Sequence, residues 1–236
     1  MGLDIYVGTL TRYYAGQWET RAARAAREQG LPFHTIRTHN PGDAITDPTQ
    51  IEPAVVTWRS GLSRTLGGIL PNPLDWPEGI SPPYFTDQLT WEALGGLLLW
   101  AAYLEQPSLP RPAHYTKEWR NDPAFRASTA STFQSTYMPA LTSEVSLPGN
   151  VTFTFQAQDL VGQVVWMSFT KKLEAVLSDL DARTWQANKS DISVWRHQGF
   201  SEGTDSLEHY AQFGFAVMSE QVRLAAENRL PMKLDY

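Results

Sequence analysis

From Ala93 to Leu104 the chain runs twelve residues without a charge, and these residues are apolar on every side of a helix. Trp91, Leu94, Leu98, Ala101 and Ala102 fall on one face, while Leu97, Trp100 and Leu104 make the opposite side apolar as well. A helix of this kind has no face to offer water and must lie inside the fold. Crossing a bilayer takes about 20 apolar residues, so the stretch is read as a buried core helix. It is expected to start at Thr86 as N-cap, with Asp87 favourable in the first turn, and to run to about Glu105. Gly95 and Gly96 sit in its middle, each costing about 1 kcal/mol relative to alanine. That cost is consistent with another backbone passing close by.

The opening of the chain carries a second signal. Leu3, Ile5 and Val7 alternate with Asp4 and Tyr6, the period of a half-buried strand, and Gly8 marks a bulge or a close backbone approach. A carboxylate inside a core strand needs a partner. Arg12 is the nearest cation, and Tyr6, Tyr13 and Tyr14 carry phenol groups that donate hydrogen bonds. Asp4, Tyr6, Arg12 and Tyr13 therefore form the candidate catalytic set: Asp4 as general base or metal ligand, Arg12 as anion clamp, Tyr6 or Tyr13 as proton donor. The competing reading gives them a purely structural role in the strand.

Further elements follow in order. Glu19–Gln29 is rich in alanine and arginine and reads as a helix closed by Gly30 and Pro32. Arg21, Arg24 and Arg27 form a stripe on it, either a solvated face or a surface for an anionic ligand or acidic partner. Leu31–Arg37 reads as a strand that a βαβ crossover would pair in parallel with the first. Thr38–Pro53 reads as a long loop of the length that often carries function, and Val55–Leu66 as a helix. Five prolines between Gly67 and Pro83 forbid regular structure there. From Leu66 to Pro110 there is no lysine or arginine, whereas Asp75, Glu78, Asp87, Glu92 and Glu105 are acidic. Pro107–Pro112 is the best internal break, and the pattern from Ala113 to Pro148 is weak. Val151–Gln156 and Gln163–Phe169 read as a hairpin, with a helix from Asp159 as the rival. Leu173, Val176, Leu177 and Leu180 mark an amphipathic helix from Thr170 to about Trp185, and the stretch to Gly203 reads as polar turns. The last helix is expected from Asp205, boxed with Glu208, through Ala226.

Composition bounds the function. At 236 residues with 42% hydrophobic content, the chain can bury one large core. Its net charge of -6 argues against nucleic acid as main partner, and no stretch suits a membrane. The absence of cysteine excludes disulfides, thiolate metal sites and cysteine nucleophiles. No basic segment followed by an apolar run opens the chain, so no secretory signal is expected. Nine tryptophans and nine tyrosines either fill the core or grip a ligand or partner chain. No dinucleotide or phosphate-loop fingerprint, HExxH or GxSxG is present. His197, Asp205 and His209 are weak metal candidates by spacing, with no cofactor expected, and His114 with Glu118 is a candidate base and its orienting group.

The opening MGLDIYVGTLTRYY, with Trp18 just after it, resembles the start of a group of uncharacterised bacterial proteins, and the resemblance returns at Asp159-Leu160-Val161-Gly162 and Thr184-Trp185. It implies a bacterial, cytoplasmic protein and brings no activity, cofactor or fold with it. The expected fold is one α+β domain in which a small mixed sheet packs with the buried central helix and a long C-terminal helix. Two functions are open. One is a non-enzymatic protein-binding protein, regulatory or immunity-like, meeting its partner at an acidic aromatic surface. The other is a hydrolase or other enzyme on a small polar substrate, using Asp4, Arg12 and Tyr13, with the loop Thr38–Pro53 at the mouth of its pocket.

Overall fold

The computed structural model describes residues 2–32, 47–130, 135–199 and 205–235. The fold is α+β, built on a mixed six-stranded sheet among the described residues. The strands are β1 (Gly2–Val7), β2 (Phe85–Thr90), β3 (Val145–Leu147), β4 (Thr154–Gln158), β5 (Val164–Phe169) and β6 (Met232–Asp235). Their order is β2-β1-β6-β3-β5-β4, and only the β3–β5 pair is parallel.

Alternation along β1 gives the sheet two different faces. Leu3, Ile5 and Val7 join Leu89 of β2 and Met232 and Leu234 of β6 in one apolar core. Over this face lie α4 (Trp91–Glu105), α7 (Thr170–Ala182) and α9 (Leu207–Asn228), whose apolar residues belong to the same core. The other face carries Val145, Val165, Met167 and Phe169, which pack with Leu10 of α1 (Leu10–Tyr14) and Ile51, Val55 and Leu62 of α3 (Pro48–Thr65). Asp4 and Tyr6 point to this second face. The remaining helices are α2 (Arg21–Glu28), α5 (Pro123–Thr129), α6 (Met138–Leu141) and α8 (Lys189–Gln198), with a single 3-10 turn at Trp119–Asn121.

The apolar helix is buried along its length from Ala93 to Tyr103, as its pattern requires. Its glycines lie where neighbours come closest. A Cβ on Gly96 would stand 2.6 Å from the Cβ of Tyr210 and 3.0 Å from the backbone nitrogen of Ala211, and one on Gly214 of α9 would stand 2.5 Å from the Ala93 carbonyl oxygen. At Gly95 the close neighbours are the side chains of Trp119 and Tyr115.

Several expectations are corrected. Thr86 does not cap the central helix: Phe85–Thr90 is a strand paired along β1, and Thr90 is the cap, accepting from the Ala93 N–H at 3.2 Å. The loop expected through Pro53 is helical from Pro48, with Asp47 as N-cap. Its earlier part and the strand expected at Leu31–Arg37 lie outside the described residues, apart from Leu31 and Pro32, which are irregular. The stretch read as polar turns holds α8, opened by a capping box between Asn188 and Asp191. Ser206, not Asp205, caps α9. The hairpin and α7 are present with bounds shifted by a few residues, while β3 and β6 carried no expectation. Among the described residues no helix is long and apolar enough to cross a membrane.

Because Gly96 and Gly214 occupy the tightest part of the α4–α9 contact, replacing either with alanine should destabilise the fold by about 1–3 kcal/mol. This holds even though alanine is the better helix former. Urea unfolding of Gly96→Ala and Gly214→Ala measures it directly, and midpoints equal to the parent would contradict the close approach.

Candidate functional site

On β1, Asp4 stands between Gln88 of β2 and Asp235 of β6 in register. Two carboxylates directly opposite each other repel. The Asp4 side chain is partly buried, and its Oδ1 is buried without a hydrogen-bond partner among the described residues. Burial first, and the neighbouring Asp235 second, push its pKa up to about 6. The Asp235 carboxylate is better served, because the Tyr13 hydroxyl donates to it at 2.6 Å. Tyr13 is held by α1, with its ring stacked on Trp18 at 5.5 Å and 5.2 Å from the Lys233 ammonium.

Lys233 shares this face and is buried, with its ammonium over the Tyr13 ring. Its field reaches Glu144, whose carboxyl is raised above the usual range by burial and by Asp159 while Lys233 draws it down. The Tyr14 hydroxyl donates to Asp159 at 3.3 Å, and burial raises the Tyr14 phenol above its ordinary value. Asp159 also accepts from the Val161 and Gln163 N–H groups, which closes the β4–β5 turn. The second face thus gathers Asp4, Asp235 and Tyr13, with Lys233, Glu144, Tyr14 and Asp159 beside them.

The two other members of the expected set take different places. Tyr6 is fully buried, donates to the Thr9 carbonyl at 2.9 Å, and packs its ring against Tyr13, Trp18 and Tyr84. Gly8 leaves room for its hydroxyl. Arg12 does not meet Asp4. Its guanidinium donates to the carbonyls of Ile80 and Pro82 and lies 4.8 Å from the Tyr84 ring. The structure therefore relates Asp4 and Tyr13 through Asp235, which stands opposite the first and accepts from the second, and Asp235 and Lys233 come from the far end of the chain. Alternation of Met232 and Leu234 with Lys233 and Asp235 was the available signal, but a four-residue strand is short for it.

The metal candidates do not converge. The His197 Nδ1 contacts the Ser193 carbonyl at 2.7 Å and the His209 Nε2 the Gly199 carbonyl at 2.9 Å. Among the described residues no three histidine, aspartate or glutamate side chains are grouped to hold an ion. His114 and Glu118 are both exposed and no hydrogen bond joins them; His114 instead bridges to Ser206 through the backbone.

Much of the acidity between residues 66 and 110 is engaged inside the molecule. Glu78 accepts from the N–H groups of Leu10 and Thr11 and from the Trp76 indole. Glu105 accepts from the Thr136 and Tyr137 N–H groups. Asp87 is fully buried and pairs with Arg21 of α2 at 2.6 Å and Arg196 of α8 at 2.5 Å. The arginine stripe of α2 is likewise engaged, Arg24 with Thr86 and Arg27 with Glu19. No protein-family model, curated protein or solved structure matches the chain.

Two outcomes follow from these contrasting aspartates. Asp4 has a folded pKa of about 6 against an ordinary 3.8. The native state therefore holds this proton more tightly, and the stability it contributes is lost as pH rises from the lower value through the higher. Asp4→Asn should melt at a higher temperature than the parent at pH 7.5, with the difference vanishing by pH 4. An advantage independent of pH would refute the assignment. Asp87→Asn should act in the opposite sense, lowering stability at neutral pH because the buried carboxylate that both arginines bond is gone. Helices α2 and α8, neither of which contains a fully buried residue, should then lose hydrogen-exchange protection together.

Proposed function

We propose that the protein is an enzyme that transfers protons to or from a small polar substrate at the Asp4–Asp235–Tyr13 site. The observation that carries this reading is a carboxyl group, partly open to solvent, with a buried oxygen that has no hydrogen-bond partner among the described residues and a pKa raised to about 6. Groups tuned in this way by burial and a like charge concentrate at functional sites, because acid–base catalysis works best with a pKa near the operating pH.

The roles divide by environment. Asp4 keeps its proton to higher pH than an ordinary aspartate and serves as the proton donor. Asp235 stands opposite Asp4 and accepts from the Tyr13 hydroxyl, so it is the second carboxyl group of the site. Tyr13 holds Asp235 in place. The Arg12 guanidinium is outside this assignment, since it is occupied by the segment around Ile80 and Pro82. A hydrolytic or isomerising reaction on a neutral or cationic substrate fits the excess of carboxylates on this face.

The test has two parts. Carbon-13 NMR of the aspartate carboxyls should place the Asp4 titration near pH 6, and a midpoint below 4.5 would remove the basis of the proposal. A panel of chromogenic esters, amides and glycosides, neutral and cationic, should then yield turnover whose rate falls as pH rises through about 6. Asp4→Asn should lower that rate about 10²–10⁴-fold. Turnover unaffected by the substitution would refute the role given to Asp4.

A further inference from the structure

The sheet ends in two strands, and the fold treats them differently. At one end β2 buries Thr86, Asp87 and Leu89 and is flanked by α2, whose Arg21 and Arg24 donate to Asp87 and Thr86. At the other end β4 holds no buried residue, alone among the described strands. An open edge is a template for another strand, and folds ordinarily blunt it with charge, proline or a bulge. From Val151 to Gln158 the chain has no charged residue, no proline and no glycine. Val161 and Val164, at the tip of the same hairpin, are exposed as well.

Register identifies the backbone groups that point outward. The Asp159 N–H donates to the Gln163 carbonyl opposite it at 2.8 Å. Bonded and non-bonded pairs alternate along an antiparallel ladder, so Ala157 and Phe155 bond Val165 and Met167. Thr154, Gln156 and Gln158 therefore turn their backbone groups away from the sheet. The Trp58 indole agrees with this direction, since it reaches the edge from α3 and donates to the Gln158 carbonyl at 2.8 Å. Among the described residues no other group bonds this edge, and Thr154 and Gln156 form its open part.

We propose that a second copy of this chain pairs along the edge, β4 to β4 in antiparallel, joining the two sheets into one. The occupant must be an extended strand, because the outward N–H and C=O groups recur at alternate residues. An antiparallel pair is two-fold symmetric, so one strand complements itself. Charge favours the same choice. The chain carries a net charge of -6, which sets two copies against each other elsewhere, whereas along the uncharged strip no like charges stand opposite. Because Trp58 holds the Gln158 carbonyl, the axis falls at Phe155. Thr154 then exchanges both backbone hydrogen bonds with Gln156 of the second copy. The two Phe155 side chains face each other in a non-bonded pair, where side chains come closest. Phe155 is only partly buried and lies 5.7 Å from Phe153 and 5.8 Å from Phe169. Pairing carries this aromatic cluster across the axis, and aromatic cross-strand pairs stabilise sheets.

Sedimentation equilibrium of the full chain tests the pairing. The parent is expected to form a reversible dimer as its concentration rises from about 1 µM to about 500 µM, a range suited to a small interface. Gln156→Pro removes an outward N–H and leaves the β4–β5 hydrogen bonds in place, as proline on an edge strand does. It should melt close to the parent while dimerising about tenfold or more weakly. Gln156→Glu changes an exposed side chain at almost constant shape, and it should also weaken the dimer, most at low salt. The chain has no cysteine, so Phe155→Cys places a single thiol on the axis. Mild oxidation should link two copies of that variant and should leave Gln158→Cys unlinked. A parent that stays monomeric through about 500 µM would overturn the proposal. So would a dimer that Gln156→Pro and Gln156→Glu leave at full strength, or cross-linking at residue 158 in place of 155.

Discussion

The approach of α4 to α9 at Gly96 and Gly214 is the contact on which the rest of the structure depends. Each helix is joined directly to a strand: β2 runs into α4 at Thr90, and α9 leads through Leu230 and Pro231 into β6. Both strands pair with β1, one on each side. Packing the two helices backbone to backbone therefore fixes where β2 and β6 lie relative to each other, with β1 between them. Register then follows from apolar alternation, because a slip by one residue would move Leu3, Ile5, Val7, Met232 and Leu234 out of the core. With that register set, Asp4 has nowhere to stand except opposite Asp235. An apolar contact on one face thus determines an electrostatic one on the other.

The same sheet buries aspartate in two opposite ways. Asp87 of β2 lies on the apolar face and is compensated by Arg21 and Arg196, whose charges draw two otherwise peripheral helices onto the body of the molecule. Taking that carboxylate out of water is unfavourable by several kcal/mol, and the arrangement holds because guanidinium groups replace the lost solvation. Asp4 lies one strand away on the other face and receives no cation. Arg12, eight positions along, turns instead to carbonyl groups at Ile80 and Pro82. Among the described residues two arginines serve the structural carboxylate and none serves this one. A strand serving structure alone would be more stable with asparagine at position 4 at neutral pH, and this disadvantage motivates the functional reading.

How much could be read from the sequence follows from the range of each interaction. The buried helix, β1, the β4–β5 hairpin and the amphipathic stripe of α7 declare themselves through local periodicity, and the structure contains all four. β2 escaped because Phe85–Thr90 is short, partly polar and continuous with the helix, and only its pairing with β1 moves the helix start from the expected Thr86 to Thr90. β6 escaped because four residues after Pro231 resemble a tail until a gap between β1 and β3 is there to receive them. The site shows the same limit. Asp4 and Tyr13 are close in sequence and were legible together, and so were Arg12 and Tyr6, which the structure assigns to a loop clamp and to the core. Asp235 and Lys233 become neighbours only through the strand order, which no local pattern encodes.

Tyr13 reaches Asp235 only because α1 is held in place, and α1 cannot hold itself. A five-residue helix is too short to persist alone, since nucleation costs more than a single turn returns. Its first N–H groups would be orphaned without an external acceptor. The proline-rich segment supplies one: Glu78 accepts from Leu10 and Thr11, and its negative charge sits at the favourable end of the helix. From the other direction Arg12 reaches out of α1 to carbonyls of the same segment, and Thr9 donates to the Gly79 carbonyl at 2.6 Å. Prolines at 71, 73, 77, 82 and 83 limit the conformations open to that segment when unfolded, so fixing it costs less entropy than for an ordinary loop. A stretch with no regular structure of its own thereby becomes the support that aims a phenol at a carboxylate. The acidic residue that sequence alone would place on a surface is a structural part of the site's scaffold.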